Sequence, residues 1–239
     1  MYDLKSLADY SLTDAAALFN LAFTGYIGGK VELTAATLAA MIARDNIDLN
    51  LSRILLRDGD QPCGIALIAR SGWSCRVAGM GITPDTQGKG AGRWLMEALQ
   101  AEARARQEQQ MVLEAFEQNA PAVALYQKIG FHIVRRLYGY TANPFAGETA
   151  DLPPVDLPEI GKQVALADTI DLPWQVAGAA FMRWGSPMRG VRLDKAYAAF
   201  STANGTLALR GLFVDPADRG QGHGTRLIRA LAAAYPDHK

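Results

Sequence analysis

Two stretches of the chain combine glycines and polar residues in a spacing that can bind an anion. Residues 82–92 read ITPDTQGKGAG and precede an amphipathic segment, and residues 214–224, about 132 positions later, read VDPADRGQGHG before another such segment. A glycine-rich turn between a strand and a helix directs several backbone N–H groups at one point in front of the helix. Each stretch therefore predicts an anion site suited to a pyrophosphate, and the recurrence predicts an internal duplication.

The spacing of these glycines excludes two better-known phosphate-binding turns. A nucleotide-binding P-loop ends in Gly-Lys-Ser/Thr, whereas Lys89 is followed by Gly90, so no hydroxyl is available for magnesium. A dinucleotide-binding turn has the spacing G-x-G-x-x-G, which the alternating glycines of residues 88–92 do not match. No metal ion is expected at either turn.

A second motif follows the first turn in residues 119–131, which read NAPAVALYQKIGF. Asn119 is a good N-cap for a helix, and Pro121 falls in the first helical turn, where a missing N–H costs little. Gly130 is suited to end the helix, and Phe131 is then expected to begin a strand. The sequence therefore predicts a short, well-delimited helix that follows the strand pattern of residues 111–117.

Both motifs together resemble those of the GNAT superfamily of acyl-CoA-dependent N-acyltransferases. The resemblance covers roughly residues 1–140 and implies acetyl-CoA as co-substrate. It implies that the backbone groups of Met80 and Ile82 pair with the pantetheine arm of the co-substrate. It also implies that Asn119 contacts this arm, although a helix cap alone would explain the asparagine. The implied pyrophosphate site consists of Gln87, Gly88, Lys89, Gly90, Ala91 and Gly92. Gln87 stands where arginine is commoner in the family.

The catalytic residues implied by the resemblance are Tyr126 and Glu114. Tyr126 would be the general acid for the departing thiolate, and the alternative is an aromatic residue of the core. Glu114 would be the general base, since strand alternation places it on the face of Val112 and Phe116, where apolar neighbours can raise the pKa of a carboxyl group. Glu117 is a second candidate for the general base. The non-catalytic alternative is that Glu114 is simply a solvated carboxylate at the end of the strand. Some members of the family have no dedicated base and use a chain of water molecules.

The hydrophobic periodicity predicts the elements that position these residues. Residues 11–23 and 34–44 are predicted helices, residues 53–57, 63–69 and 75–83 are predicted strands, and the strand and helix of the second motif follow. This order is typical of the GNAT fold. The predicted fold class is mixed α/β, with tandem GNAT-like domains that each have a mixed, mostly antiparallel sheet flanked by helices, the second domain being incomplete.

Proline-rich sequence separates the predicted domains. A complete acyltransferase domain is expected over residues 1–142, a linker over 143–158 and a partial second domain over 159–239. In the second domain, residues 163–167 are a predicted strand, residues 174–184 a predicted helix, and residues 195–201 and 206–214 a hairpin around Asn204 and Gly205. No counterpart of the second motif follows, so chemistry is expected in the first domain alone.

The composition limits the partners of the protein. With 24 basic and 24 acidic residues the formal charge is zero, which gives no support for a nucleic-acid or membrane-surface partner. Two cysteines, Cys63 and Cys75, are expected to be buried thiols. Without an apolar stretch of membrane-spanning length or a signal peptide, a cytoplasmic location is expected. A homodimer is an open option.

We therefore expect an enzyme, an N-acetyltransferase that transfers an acetyl group from acetyl-CoA to a primary amine of a small molecule or peptide. The alternative is a non-catalytic acyl-CoA-binding or scaffold protein with the same fold. The sequence does not identify the acceptor; aromatic residues of the expected acceptor region, Phe23, Tyr26, Tyr138 and Tyr140, suggest an apolar wall.

Overall fold

The structure, a computed structural model, describes residues 1–142, 147–167, 172–203 and 205–238. The chain divides into two compact units, Met1–Arg136 and Leu137–Lys239. Both are mixed α/β, with a five-stranded sheet in the first unit and a three-stranded sheet in the second. Among the helices in the described ranges, none has the length and apolar character needed to cross a membrane.

The first unit is organised around a five-stranded mixed sheet. Its strands lie in sequence order, with antiparallel pairing from β1 to β4 and parallel pairing between β4 and β5. The strands are β1 (Tyr2–Ser6), β2 (Arg53–Arg57), β3 (Gln61–Ser71), β4 (Ser74–Ile82) and β5 (Gln110–Leu113). The predicted three-strand meander is therefore confirmed, with boundaries that differ by at most two residues.

Four helices flank this sheet, and three of them begin at a side-chain cap. Ser11, Thr34 and Asn119 each accept a hydrogen bond from a backbone N–H in the first helical turn, as expected for hydroxyl and amide caps. The third helix, which follows the first glycine turn, has no side-chain cap. The helices are α1 (Leu12–Ala22), α2 (Ala35–Asp45), α3 (Ala91–Ala105) and α4 (Ala120–Lys128).

One hydrophobic core of the first unit lies where α3 covers β3 and β4. The buried stripe of α3, which includes Leu95, Met96 and Leu99, has the spacing of one face of a helix. It packs against buried residues of the central strands such as Ile68 and Val77. This packing holds the N-terminus of α3 at the end of β4, directly after the glycine turn.

β4 and β5 separate after a short paired stretch. Their last paired residues are Val77 and Leu113, where β5 ends, whereas β4 continues to Ile82 and remains paired with β3 on its other side. Residue 78 is an extra residue in β4 relative to β3, a β-bulge next to the point of separation. The result is a cleft between the end of β4 and the segment that follows β5.

A buried carboxylate fixes the paired end of these two strands. Glu108, in the turn before β5, has a fully buried side chain and accepts a hydrogen bond from Arg106 at 2.9 Å, and Arg70 lies 3.4 Å away. The Cys75 thiol also bonds to Glu108, and burial together with this carboxylate raises the pKa of Cys75 to about 12. Cys75 is a buried free thiol, as predicted.

The second unit contains a three-stranded antiparallel sheet. Its strands are β6 (Arg189–Leu193), β7 (Ala196–Ala203) and β8 (Thr206–Val214), and its helices are α5 (Leu157–Leu166), α6 (Gly178–Phe181) and α7 (His223–Ala234). The predicted hairpin is confirmed by the pairing of β7 and β8. Asn204 of its turn lies outside the described residues, as do Asn143 and Pro144 of the predicted linker.

Residues in and around β8 repeat the local geometry of β4. β8 contains a bulge against β7 at residue 210, the position that corresponds to residue 78. The next residue is a glycine in both strands, Gly79 and Gly211, and a phenylalanine ring lies over each, Phe19 and Phe181 respectively. The repeat seen in the two turns thus extends into the strands that precede them.

Several sequence-based expectations were wrong. Residues 163–166 belong to helix α5 and Ala167 is its C-cap, because Leu157, Ile160 and Val164 share a buried helical face. The predicted helix over residues 174–184 is interrupted, with a 3₁₀ turn over Trp174–Val176 and the four-residue α6. β6 was not predicted.

The strand expected to begin at Phe131 is also absent from the described part of the first unit. Residues 131–136 have no regular structure. Ile133 and Val134 are 70% and 84% exposed, because no strand of this unit pairs with them. The Phe131 ring instead packs edge-on against Tyr126.

We predict that Glu108 makes the stability of the protein sensitive to acid. Burial raises the pKa of Glu108, but hydrogen bonds from Arg106 and Cys75 and the two arginine charges outweigh it, so the pKa lies below its ordinary value of 4.5. This stabilisation is present above the unfolded-state pKa and is lost as the pH falls below it. Glu108→Gln should lower the free energy of unfolding by about 2 kcal/mol at pH 7.

Chemical denaturation at pH 7, 5 and 3 checks this prediction. The difference between the parent protein and Glu108→Gln should shrink towards pH 3, since the glutamine does not titrate. A difference that stays constant with pH would contradict it.

Candidate active site

The first glycine turn has the backbone geometry that its sequence predicts. Gly88 and Gly90 have φ values of 74° and 85°, a left-handed region that disfavours residues with a Cβ. A Cβ built on either glycine meets no other atom within 4 Å, so the space around the turn is open. Gly90 is also the N-cap residue of α3 and offers no side chain to the first N–H groups of this helix. The turn can therefore receive an anion from outside.

Contacts from β2 and β4 hold the turn in place. Arg57 forms an ion pair with Asp85 at 2.5 Å and donates to the Thr86 hydroxyl at 2.7 Å. Backbone N–H groups of Thr86 and Gln87 donate to the Thr83 carbonyl. The turn is thus braced by its own protein contacts, which lowers the ordering cost of binding a ligand. Pairing with Arg57 also offsets the negative charge of Asp85 beside the predicted anion site.

Gln87 acts as a clamp across the turn. Its Nε2 donates to the carbonyl oxygen of Ile82 at 2.8 Å, so one hydrogen of the amide group is used within the protein. In the second turn, Nε of Arg219 donates to the carbonyl of Val214 at 3.1 Å, which is the corresponding bond. The Gln/Arg position therefore has the same structural role in both turns. Lys89 also folds back, with Nζ donating to the Asp85 carbonyl at 2.8 Å.

The exposed edge of β4 presents backbone groups to the cleft. The N–H of Thr83 donates to the Cys63 carbonyl, so Thr83 faces β3. Because successive residues of a strand direct their backbone groups to alternate sides, those of Met80 and Ile82 face away from β3 and towards the cleft. The Ile82 carbonyl on this side already accepts from Gln87, which leaves its N–H and the backbone groups of Met80 to face a ligand. This is the arrangement needed to pair with an extended arm that carries amide groups. The structure thus places both predicted residues at one edge, directly before the turn.

Helix α4 brings Tyr126 to the same region. Leu125, the preceding residue, approaches Gly92 at the start of α3, where a Cβ on the glycine would lie 3.5 Å from its side chain. Tyr126 packs on the core cluster that also includes Met80. Burial, and then the neighbouring Tyr26, raise the pKa of Tyr126. A phenol in this position keeps its proton at neutral pH and can donate it.

Glu114 differs from its predicted setting. It lies just past the end of β5, so strand alternation does not govern it, and its side chain is 30% exposed. Its Oε2 accepts hydrogen bonds from Nε and Nη2 of the buried Arg76, both at 2.7 Å. Arg76 lies on β4 one residue before Val77, and Glu114 lies one residue after Leu113 of β5. The ion pair therefore spans the fork, the point where β4 and β5 separate. The geometry makes Glu114 the charge partner of Arg76.

Sequence reasoning missed Arg76, although an arginine inside the apolar strand pattern of residues 75–82 was visible. A buried guanidinium needs a partner, and the first carboxylate after the neighbouring strand supplies it. The second candidate base, Glu117, forms an ion pair with Arg136 at 2.6 Å, and both side chains are mostly exposed. Of the wall residues expected from the sequence, Tyr26 contributes to the pKa of Tyr126, and Tyr138 and Tyr140 are exposed residues of the second unit.

Comparison with known proteins identifies this arrangement. The sequence model of the GNAT acetyltransferase family matches residues 16–131, which include the cleft, the glycine turn and α4. Residues 16–131 form a GNAT domain. A search of curated proteins finds no match for the chain.

A solved structure with a similar fold aligns over almost the whole chain. A GCN5-related N-acetyltransferase from Sphaerobacter thermophilus aligns over 98% of this chain and 82% of its own, with a TM-score of 0.65 and 15% identity. Two further matches cover little more than half of the chain. The Escherichia coli ribosomal-protein-S18-alanine N-acetyltransferase aligns over 55% of this chain and 78% of its own, with 24% identity and a TM-score of 0.46. The Salmonella typhimurium yncA protein, solved with its cofactor acetyl-CoA, aligns over 56% of this chain and 81% of its own, with 22% identity and a TM-score of 0.44.

We predict that Glu114→Gln destabilises the GNAT domain. Loss of the carboxylate charge removes the ion pair with the buried Arg76 guanidinium, which should lower the free energy of unfolding by about 2–3 kcal/mol. Glu117→Gln is the matched control, because an exposed ion pair contributes about 0–1 kcal/mol. Urea denaturation of the three proteins measures both effects. Equal stability of the two variants would show that Glu114 is not needed to hold Arg76.

Proposed function

We propose that the protein is an N-acetyltransferase that transfers an acetyl group from acetyl-CoA to a primary amine, with the chemistry in the first unit. The observation that carries this proposal is the cleft between β4 and β5, which leads along the exposed edge of Met80 and Ile82 to the glycine turn. Acetyl-CoA has an extended arm with amide groups and a pyrophosphate, and the cleft and the turn offer donors for each in that order. The family assignment of residues 16–131 supports the same activity.

The proposed site uses the residues of the chain as follows. N–H groups of residues 88–92 bind the pyrophosphate. The backbone groups of Met80 and the N–H of Ile82 hold the arm, which directs its thioester towards the point where β4 and β5 separate. When bound, acetyl-CoA supplies an activated acyl group. Transfer forms one C–N bond and breaks one C–S bond, and it takes one proton from the amine and delivers one to the sulfur. Tyr126 holds the latter proton on its hydroxyl group.

The proton of the amine has two proposed routes. Glu114 is the base that the resemblance implies, but its bonds to Arg76 favour a structural role for it. In that case, the amine proton leaves through water in the cleft. Activity of Glu114→Gln, measured under conditions where the variant is folded, separates the two routes: a loss of about 10²-fold or more supports the base, and retained activity supports water.

We propose the second unit as a partial copy of the same domain. The support is the repeated bulge, the repeated Gly–Phe contact, the two left-handed glycines Gly220 and Gly222, and the matching Arg219 clamp. The second motif, with its capped helix and tyrosine, is found in residues 119–131 of the first unit. The proposed chemistry is therefore assigned to the first unit.

We predict that Gly90→Val prevents CoA binding. A valine at a φ of 85° strains the backbone and moves N–H groups away from the pyrophosphate position. Gly72→Val is the matched control, because Gly72 also has a positive φ (57°) and open surroundings but lies in the β3–β4 turn. Calorimetry with CoA should show at least about a hundredfold loss of affinity for Gly90→Val alone. Equal affinity of the two variants would place the site elsewhere.

We predict that Tyr126→Phe lowers kcat about 10²–10⁴-fold, with the Kd for acetyl-CoA nearly unchanged, because the hydroxyl acts only as the thiolate departs. The raised pKa predicts that a tyrosine-dependent rate persists to alkaline pH and falls only as the phenol ionises. Thiol release under saturating substrates measures this effect. An unchanged kcat would remove Tyr126 from the mechanism, and an absence of turnover in the parent protein with every amine would favour a non-catalytic acyl-CoA-binding protein.

A further inference from the structure

Four aromatic rings form a continuous row in the first unit. The rings of Phe19 and Phe23 are stacked with centroids 4.3 Å apart, Tyr26 meets Phe23 edge-on at 5.0 Å, and Phe116 lies 5.8 Å from Tyr26. The row leads from the core to the surface, since Phe19 is 6% exposed and Phe116 is 48% exposed. We refer to Phe19, Phe23, Tyr26 and Phe116 as the aromatic row.

The aromatic row begins on the strand that borders the cleft. A Cβ on Gly79 would lie 3.1 Å from the Phe19 ring, and a Cβ on Gly81 would lie 2.9 Å from the Phe23 ring. These glycines alternate with Met80 and Ile82, whose backbone groups face the cleft. Because glycine has no side chain, the two rings can lie directly on β4, beside the proposed path of the pantetheine arm.

The other end of the row reaches the far side of the cleft. Phe116 belongs to the segment that follows β5, so the contact between Tyr26 and Phe116 joins the loop after α1 to the segment after β5. Gly28 lies between the two rings, and a Cβ there would be 2.6 Å from each. After burial, the nearby Tyr26 is the second cause of the raised pKa of Tyr126, the proposed acid. The row thus passes beside the position where the leaving group and the attacking amine must meet.

The carboxylates of the same segments are already paired. Glu32 forms an ion pair with Lys30, Glu114 with Arg76 and Glu117 with Arg136. A polycationic acceptor would need free carboxylates to replace the water molecules that hydrate its charges. The aromatic row presents ring faces and edges instead. Aromatic faces favour a flat apolar body through ring–ring contacts and also attract an adjacent ammonium group.

We propose that the acceptor is a primary amine on an aromatic body, and that the exposed end of the aromatic row, Tyr26 and Phe116, binds this body. This inference rests on the proposed function and names the substrate class for the same site. The ring of the acceptor extends the row by one member, and its aminoalkyl chain directs the nitrogen into the cleft near Tyr126. Phe116 and Tyr26 are then specificity-determining residues rather than catalytic ones.

The test compares acceptors at saturating acetyl-CoA, with thiol release as the readout. Phenethylamine is the aromatic probe, 2-cyclohexylethylamine has a non-planar body of similar size, and spermidine is the polycation. We expect kcat/KM for phenethylamine to exceed that for spermidine by about tenfold or more, with the cyclohexyl compound in between. A higher value for spermidine would overturn the acceptor class and leave the proposed function intact.

Variants test the role of the row. Phe116→Ala and Tyr26→Ala should each raise the KM for phenethylamine about tenfold while the Kd for CoA stays unchanged, and Gly28→Val should act similarly by pushing the two rings apart. Trp73→Ala is the control, since Trp73 is an exposed aromatic residue (57%) of the β3–β4 turn. Thermal unfolding verifies that each variant is folded. An unchanged KM in the folded Phe116 and Tyr26 variants would overturn the proposal.

A binding measurement separates this inference from the proposed function. Calorimetry of phenethylamine added to the CoA-saturated parent protein should show binding that Phe116→Ala weakens. If CoA binds but no amine gives thiol release, the proposed function fails. If transfer occurs with other amines while phenethylamine neither binds nor reacts, only the acceptor class fails.

Discussion

β4 continues for five residues after its partner β5 has ended, and the backbone groups exposed by this separation need another partner. The rest of the first unit is arranged around that requirement. The bulge at residue 78 lies next to the point of separation, the Arg76–Glu114 ion pair spans the fork, and Glu108 fixes the paired end. A ligand with its own amide groups can take the place that a continued β5 would fill.

Glycine has three different uses around this cleft. At Gly88 and Gly90 it permits the left-handed backbone that turns N–H groups towards an anion. At Gly79 and Gly81 it allows aromatic rings to lie directly on the strand, and at Gly28 it allows the Tyr26 and Phe116 rings to lie close together. The second unit has the first of these uses and, at Gly211, part of the second, and its turn has the same shape although its sheet has three strands.

The sequence was sufficient for features that depend on neighbouring residues. The glycine turns, the Asn119 cap and the strands of the first unit follow from local spacing, and the structure reproduces them. Residues 163–167 were misassigned because a short apolar run has similar patterns in a strand and in a buried helix, and the choice depends on packing. The prediction of a strand after Gly130 was wrong for a related reason. A strand forms only where another strand pairs with it, and spacing along the chain does not reveal such a partner.

Contacts between distant parts of the chain could not be obtained from spacing. The Arg76–Glu114 pair and the aromatic row join residues that are 38 and about 90 positions apart, so only the fold reveals them. Gln87 illustrates the same limit. Its residue type suggested a contact with the ligand, and the structure shows that its side chain also bonds to the Ile82 carbonyl across the turn. The resemblance implied a site, and the structure adds protein contacts at two of its residues, Gln87 and Glu114, that spacing did not reveal.

Hydrogen–deuterium exchange with and without CoA tests the central claim most directly, because it reports on the backbone groups themselves. The account predicts slower exchange at the amides of Met80, Ile82 and residues 88–91 when CoA is present, with no change in the β3–β4 turn. Protection confined to residues 220–223 of the second unit, or an absence of protection over residues 80–91 at saturating CoA, would contradict it.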